Sequence, residues 1–236
     1  MGTMLGAASP RAGERERMVR EQIAARGVTD ERVLDAFRAV PREEFVPGDL
    51  GGLAYRDRAL PIEADQTISQ PFVVALMLEA MDLRGVERVL DVGTGSGYAA
   101  ALLSLLAGEV HSIERIPELA STARARLSQL GYAVTVHDGD GTLGLPTHAP
   151  YDAIMVGAGG PKIPDALVAQ LAPGGRLVIP VADDGRQLLV RVLKVPGDGL
   201  AHQILDEVRF VPLIGAQGEP EPRPGPARSA ASPSSR

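Results

Sequence analysis

The chain has 236 residues, of which 44% are hydrophobic and 23% are charged, a balance typical of a globular protein rather than a disordered one. It contains no cysteine, which excludes disulfides, thiolate metal sites and a cysteine nucleophile. The formal net charge of −6 and the low aromatic content of 3% argue against a nucleic-acid-binding protein.

The sequence also argues against a membrane protein. Its longest uncharged stretch, residues 92–108, is rich in glycine and shorter than the ~20 apolar residues that span a bilayer. The first residues lack the apolar core of a signal peptide. We therefore expect a cytoplasmic protein without a membrane partner.

Two N-terminal helices are predicted before the regular part of the chain. Residues 1–12 are expected to be flexible, and the first helix is predicted at residues 13–26. Thr29 or Asp30 can cap the second helix, which has apolar residues at helical spacing. Residues 41–68 contain several prolines and glycines and are expected to form loops and turns.

From residue 69 onward, predicted helices and strands alternate. Helices are predicted at residues 69–83, 98–107, 117–130 and 163–171. Strands are predicted at residues 88–93, 109–114, 132–137, 151–156, 175–181, 187–195 and 202–212, with turns at residues 173–175 and 196–199. The alternation predicts an α/β fold, a doubly wound parallel sheet with helices on both faces. A short turn separates the last two strands, which are therefore expected to form an antiparallel hairpin.

These elements indicate one domain over residues 13–215. Its N-terminal part, residues 13–68, precedes an α/β core at residues 69–215. Residues 216–236 contain five prolines, with alanine as the only apolar residue type, and are expected to form a disordered tail.

A glycine-rich turn gives the strongest functional signal. Residues 89–97 read Val-Leu-Asp-Val-Gly-Thr-Gly-Ser-Gly, a predicted strand that leads through glycines into a predicted helix. Such a turn lies where doubly wound sheets bind ligands, and the helix N-terminus offers free N–H groups. Tyr98 stands where the dinucleotide fingerprint has its third glycine, which disfavours a nicotinamide cofactor.

Two acidic residues follow at the ends of the next predicted strands. Glu114 ends the second strand, where a carboxylate can accept both hydroxyls of a ribose. Asp140 and Gly141 form a polar turn after the third strand. We expect both positions to lie at the same edge of the sheet as the glycine turn.

This pattern resembles the class I S-adenosylmethionine-dependent methyltransferases, whose Rossmann-like sheet has seven strands with the final strand antiparallel. In that family the glycine loop passes the methionine part of S-adenosylmethionine, the first acid holds the ribose, and an aspartate after the third strand approaches the adenine. The resemblance implies a cofactor site formed by Asp91, Gly93, Thr94, Gly95, Ser96, Glu114, Asp140 and Gly141.

A second set of motifs is more specific. Residues 55–62 read Tyr-Arg-Asp-Arg-Ala-Leu-Pro-Ile, and residues 67–71 read Thr-Ile-Ser-Gln-Pro. With residues 174–180 and 208–215, they resemble the protein-L-isoaspartate O-methyltransferases over roughly residues 15–215. That resemblance implies methylation of the α-carboxylate of L-isoaspartyl residues in peptides and damaged proteins, the first step of their repair. It also implies Ser69 as the catalytic residue and a substrate site of Thr67, Ser69, Gln70, Val211 and Pro212.

Ser69 has a second, structural interpretation. It stands just before a predicted helix whose first turn contains Pro71, so its hydroxyl can act as an N-cap. A helix start also favours a substrate carboxylate. The two roles are compatible.

Two segments depart from the family pattern. Residues 63–65 read Glu-Ala-Asp where the family has a glycine-containing loop, and residues 157–160 read Gly-Ala-Gly-Gly where it has a Thr-Ala-Ala-like run. We expect these changes to affect peptide preference and rate rather than the type of reaction.

Several alternatives share part of this pattern. A methyltransferase for a small molecule or another protein carboxylate would have the same cofactor motifs. A nicotinamide oxidoreductase and a cofactor-binding scaffold without catalysis are the other possibilities. We expect a monomer, and the spacing of the four histidines predicts no metal site.

Overall fold

The computed structural model describes residues 11–221 except residues 196 and 198. The expectations for residues 1–10 and 222–236 fall outside the described residues. Within them, no helix is both long and apolar enough to cross a bilayer.

The described chain forms six α-helices and nine strands. The helices are α1 (Ala12–Met18), α2 (Glu31–Ala39), α3 (Pro71–Ala80), α4 (Tyr98–Leu106), α5 (Pro117–Leu130) and α6 (Asp165–Ala169). The strands are β1 (Leu60–Pro61), β2 (Thr67–Ile68), β3 (Arg88–Val92), β4 (Glu109–Glu114), β5 (Thr135–Asp138), β6 (Tyr151–Val156), β7 (Leu171–Asp183), β8 (Arg186–Val195) and β9 (Gly199–Val208). Helical turns of 3-10 type lie at Ala24–Arg26, Arg42–Phe45, Gly48–Leu53, Gly141–Leu143 and Pro146–His148, and a π-helical turn lies at Val19–Ile23.

The N-terminal helices follow local sequence signals. Helix α1 continues through the π and 3-10 turns to Arg26, and Gly27 then adopts a left-handed conformation with φ of 103°. The Asp30 carboxylate accepts a hydrogen bond from the backbone N–H of Arg32 at 2.9 Å and so caps α2.

The main sheet has the strand order β5-β4-β3-β6-β7-β8-β9. Strands β3 to β7 are parallel, while β8 is antiparallel to β7 and β9 is antiparallel to β8. The C-terminal hairpin is therefore confirmed, but β8, rather than the final strand, runs opposite to the other strands. The chain winds outward from β3 to β5 and returns to β6 on the other side of β3, which makes a ligand crevice between the carboxyl ends of β3 and β6.

Helices cover the sheet on both faces. Alternate residues of β3 enter two different apolar layers: Val89 packs with side chains of helices α1 to α5, and Leu90 packs with the layer that includes Leu167 of α6. The larger layer carries Phe37 and other residues from the N-terminal helices. The N-terminal part of the chain is thus packed onto the α/β core.

Several predicted element boundaries are wrong, among them the start of β5 at Thr135 instead of residue 132 and the bounds of α6 at Asp165–Ala169 instead of 163–171. Helix α3 begins at Pro71, after extended residues 69 and 70, because proline lacks the N–H donor and is suited to the first helical turn. The predicted turn at residues 173–175 lies within β7, which pairs irregularly with β6 at this point. The last strand ends at Val208 instead of Pro212, and Gln187 binds the backbone of Phe210 outside the sheet.

The prediction of disorder is wrong for residues 216–221. The N–H of Ala216 donates to Asp140 Oδ2 at 2.7 Å, and the N–H of Gln217 donates to Thr142 Oγ1 at 3.0 Å. Glu221 forms a 2.9 Å ion pair with Arg115. These contacts are distant in sequence, so the polar composition of the segment does not reveal them.

Candidate active site

The glycine turn after β3 has a backbone that only glycine adopts readily. The φ angles of Gly93, Gly95 and Gly97 are 92°, 52° and 92°, which lie in the left-handed region. The N–H of Gly93 donates to the carbonyl of Ile113 at 2.9 Å, and the N–H of Gly97 donates to the carbonyl of Thr94 at 2.8 Å. The loop is therefore folded tightly between β4 and the start of α4.

Glu114 is tied to this loop by its side chain. Its Oε2 atom accepts a hydrogen bond from the N–H of Gly95 at 2.9 Å, and its Oε1 atom accepts one from the N–H of Ile116 at 3.0 Å. The residue is buried. Because each carboxylate oxygen has a second lone pair, both oxygens can still accept a hydroxyl group from a ligand.

Asp91 and Thr94 belong to a buried chain of hydrogen bonds. The Ser112 hydroxyl donates to Asp91 Oδ2 at 2.7 Å and lies 2.6 Å from the Thr94 hydroxyl. Burial raises the pKa of Asp91 to about 7, with the hydrogen bond from Ser112 lowering it and the charge of Glu114 raising it. Asp91 Oδ1 has no hydrogen-bond partner among the described residues, so it is left as an acceptor at the wall of the cleft.

Asp140 stabilises the loop next to the cleft. Its Oδ1 accepts hydrogen bonds from the backbone N–H and the hydroxyl of Thr142 at 2.9 and 2.6 Å, and its Oδ2 accepts from Ala216. Partial burial pulls the pKa of Asp140 upward, but these hydrogen bonds and the Arg115 charge hold it below the usual value. Gly141, rather than Asp140, borders the cavity.

Two adjoining cavities lie at the carboxyl edge of the sheet. The larger, of about 160 Å³, is bordered by Glu114 and Gly141, and the smaller, of about 50 Å³, by Ser69 and Asp91. The two share the wall residues Thr67, Gly93, Gly95 and Gly157, so they are two parts of one cleft. Thr94 and Ser96 border the smaller cavity, and Val211 and Pro212 border the larger one.

The cleft thus brings together most of the residues that the sequence singled out, with two exceptions. Asp140 stands behind its wall, and so does Gln70, whose side chain donates to Asp57 Oδ2 at 2.8 Å. Asp57 also forms a 2.8 Å ion pair with Arg26. Gln70 is therefore part of the support for the segment that carries Ser69.

The interpretation of Ser69 as an N-cap is wrong. The N-cap of α3 is Gln70, and the side chain that bonds to the first turn of this helix is that of Asp57, whose Oδ1 accepts from the N–H of Phe72 at 3.4 Å. The Ser69 side chain is half-buried on the cavity wall and forms no hydrogen bond to the described residues. Its hydroxyl is free to bind a ligand.

Arg42 lies behind Ser69 and was not identified from the sequence. Its side chain is completely buried, and its guanidinium donates to the carbonyls of Ala54 and Ser69, each at 2.8 Å. Burial lowers the pKa of Arg42, and no carboxylate of the described residues forms an ion pair with it. Only the fold, which brings residues 42 and 69 together, reveals this cation.

The first departure from the family pattern forms a tight turn between β1 and β2. Ala64 and Asp65 both have positive φ angles, of 56° and 55°. The N–H of Ile62 donates to the carbonyl of Gln66 across the turn at 2.9 Å. A glycine fits this conformation better than alanine does, because a Cβ atom strains the left-handed region.

The second departure, residues 157–160, begins beside the glycine turn, and its first two residues, Gly157 and Ala158, border the cleft. The N–H of Gly157 donates to the carbonyl of Val92 at 2.8 Å, and the N–H of Gly159 donates to the carbonyl of Val211 at 2.8 Å. A Cβ atom on Gly159 would lie 2.5 Å from the Gln187 side-chain nitrogen. A larger residue here would therefore displace the Gln187 amide, which bonds to the backbone of Phe210.

Comparisons with known proteins give one consistent result. A model of the protein-L-isoaspartate(D-aspartate) O-methyltransferase family matches residues 13–218. A protein-L-isoaspartate O-methyltransferase of Rhodopseudomonas palustris is 55% identical over 209 residues, which are 88% of this chain and 96% of that protein. One of Pelobacter propionicus is 55% identical over 86% of this chain and 92% of its own length.

Solved structures agree with these sequence relatives. A protein-L-isoaspartate O-methyltransferase structure is 32% identical, with a TM-score of 0.77 over 86% of this chain and 67% of the other. A structure described as a protein-L-isoaspartate O-methyltransferase of Plasmodium falciparum, in complex with S-adenosyl-L-homocysteine, is 25% identical. Its TM-score is 0.73 over 85% of this chain and 98% of that one.

Proposed function

This chain belongs to the protein-L-isoaspartate(D-aspartate) O-methyltransferase family, and we propose that its cleft brings S-adenosylmethionine and an isoaspartyl carboxylate together for methyl transfer. The observation that carries the proposal is the continuity of the two cavities, which places Glu114 and Ser69 on the two sides of one glycine turn. The product ester is the first intermediate in the repair of damaged proteins.

The larger cavity and the glycine turn suit the cofactor. S-adenosylmethionine, when bound, supplies an electrophilic methyl group on a positively charged sulfur. Glu114 has one free lone pair on each oxygen for a pair of ribose hydroxyls. The orphaned Oδ1 of Asp91 offers an acceptor beside the glycine turn. Asp140 acts through the loop, because it holds Gly141 and residue 216 against the cavity.

The smaller cavity suits the substrate carboxylate. The unbonded hydroxyl of Ser69 and the Thr67 side chain border it, and both can donate a hydrogen bond to an anion. Arg42 places a buried positive charge directly behind the Ser69 carbonyl. In this low-dielectric setting the charge favours an anion at Ser69 more strongly than it would in water. Val211 and Pro212 border the adjoining larger cavity, where they are placed to contact the rest of the peptide.

The chain needs no strong general base for this reaction. A peptide α-carboxyl group has a pKa near 3.5 and is already ionised at neutral pH. The residues therefore act by positioning the carboxylate and by excluding water from it. This fits a cleft whose nearest carboxylates, Asp91 and Glu114, are bonded to Ser112 and to the glycine turn.

A methyl-transfer assay on two peptides tests the proposal. The peptides differ only in whether one residue is L-isoaspartyl or L-aspartyl. We expect radiolabelled methyl transfer to the isoaspartyl peptide alone. Equal transfer to both peptides, transfer to a small molecule only, or cofactor binding without turnover would each overturn the assignment of the substrate.

We also propose that a single chain is the catalytic unit, because the glycine turn, Glu114 and Ser69 all lie on one chain. Light scattering with parallel activity measurements checks this. Specific activity should stay constant as the protein is diluted, and a loss of activity that accompanies dissociation of a dimer would contradict it.

A further inference from the structure

Three histidines that lie far apart in the sequence converge on one face of the sheet. His111 is on β4, His137 is on β5, and His148 is in the turn Pro146–His148. One nitrogen from each ring lies within 4.8 Å of the other two. Since 26 and 11 residues separate them along the chain, the sequence spacing predicted no metal site.

The ring of His111 is oriented by a carboxylate. Its Nε2 atom lies 2.9 Å from Glu109 Oε1, and Glu109 is held by a 2.7 Å ion pair with Arg88. Because a carboxylate only accepts hydrogen bonds, Nε2 carries the proton, and Nδ1 of the neutral ring is an acceptor that a metal ion can use in place of a hydrogen-bond donor. Without an ion, the Nε2–H of His137 donates to this Nδ1 at 3.1 Å. Metal-binding histidines are oriented by carboxylates in this way.

The spacing of the nitrogens suits a small divalent ion. Zinc–nitrogen bonds of about 2.0–2.1 Å in a tetrahedral site put ligand nitrogens about 3.3 Å apart. The pair of His111 and His137 is already near this distance. The third ring has a nitrogen within 4.8 Å of the other two, so a side-chain rotation can bring it close to this distance. His137 and His148 are only half-buried, so their side chains can rotate and an ion can reach them from solvent.

We propose that His111, His137 and His148 bind a late first-row divalent ion, with zinc as the best match and water as the fourth ligand. Imidazole nitrogen suits these metals, and three protein ligands leave one coordination position open. Glu109 acts as a positioning residue through its hydrogen bond to His111.

Such an ion joins two strands to the chain segment that borders the cofactor cavity. The histidines link β4 and β5 to the connection of residues 139–150, which carries Gly141. Ile113, two residues after His111 on the same strand face, also borders that cavity. The site is therefore a structural metal site that would stabilise the wall of the cleft, and its histidines do not border the cavity.

A histidine cluster without an ion is the competing explanation. The rings of His111 and His148 are 4.1 Å apart between centroids, which is also compatible with packing of neutral rings. This alternative predicts that added zinc has no specific effect on the protein.

Metal titration of the untagged full chain separates the two explanations. We expect one zinc ion to bind per chain by calorimetry and Co²⁺ to give the visible d–d bands of a four-coordinate site. Zinc should also raise the thermal midpoint by mass action. His137→Ala and His148→Ala should each reduce zinc affinity by about tenfold or more, and Glu109→Ala by about 10- to 100-fold.

The matched control is His202→Ala, since His202 is exposed on β9. It should bind zinc like the wild type. Circular dichroism verifies that each variant is folded, and the buried His111 is left unchanged for this reason. The proposal is overturned if the wild type shows no one-to-one binding, or if the folded double variant of His137 and His148 binds zinc as tightly as the wild type.

Discussion

Removing the Glu114 carboxylate is expected to weaken cofactor binding without disrupting the fold of the sheet. In the structure this carboxylate accepts one hydrogen bond from the backbone N–H of Gly95 in the glycine turn and one from the backbone N–H of Ile116. Each carboxylate oxygen of Glu114 therefore keeps one lone pair that can accept a hydrogen bond from a ribose hydroxyl. Glu114→Ala removes all of these acceptors, and Glu114→Gln keeps the size while turning an amide group toward one of the backbone donors.

The magnitude follows from the number of hydrogen bonds lost. A hydrogen bond to a charged group contributes roughly 1.5–3 kcal/mol, and part of the loss on substitution is offset by water. A net loss of about 2–3 kcal/mol raises the dissociation constant roughly 30- to 150-fold. Turnover at saturating cofactor should change less than affinity, because Glu114 borders the cofactor cavity rather than the one with Ser69.

Calorimetry with S-adenosylhomocysteine measures this effect directly. The matched control is Glu118→Gln, which removes the same charge from an exposed position in the first turn of α5. We expect the control to bind like the wild type. An unchanged dissociation constant for both Glu114 variants would remove this residue from the cofactor site and refute the reasoning.

Three further predictions follow from particular contacts. Ser69→Ala should lower turnover on an isoaspartyl peptide by roughly 10- to 100-fold, the loss of one hydrogen bond to a charged group, with cofactor affinity nearly unchanged; an equal loss of both would mean that Ser69 mainly supports the fold. Burial raises the pKa of Asp91 to about 7, so Asp91 in the folded protein holds a proton that the unfolded chain releases near pH 4, and this residue's contribution to stability should fall as the pH rises from about 4 to 7. Relative to Asp91→Asn, the free energy of unfolding in urea should fall by up to about 4 kcal/mol over this range, and parallel pH profiles would contradict the assignment. Ala64→Gly should raise the free energy of unfolding by about 1 kcal/mol, because Ala64 has a φ of 56°, and a destabilised variant would count against strain at this turn.

The elements with strong local signals were predictable from the sequence. The bounds of β4, β6 and α5 agree with the prediction to the residue; α5 has a proline at its start and a glycine after its end, and β6 has an apolar run. The glycine turn and the acid after the second strand were placed correctly at the sheet edge. Local patterns therefore located the residues that border the larger cavity.

The parts that the sequence did not reveal depend on long-range contacts. Arg42 meets the Ser69 carbonyl across 27 residues, and Ala216 meets Asp140 across 76 residues. The three histidines converge only after β4 and β5 pair and the turn before β6 folds over them. The periodicity and spacing of residues in a sequence do not predict contacts between distant residues, so these contacts are seen only in the folded chain.

A crystal structure of the protein with S-adenosylhomocysteine and an isoaspartyl peptide is the most direct test of the account. We predict that both ribose hydroxyls lie within hydrogen-bond distance of Glu114 and that an oxygen of the substrate carboxylate accepts a hydrogen bond from the Ser69 hydroxyl. A ribose remote from Glu114, or a peptide carboxylate bound away from Ser69 and its glycine turn, would contradict the account.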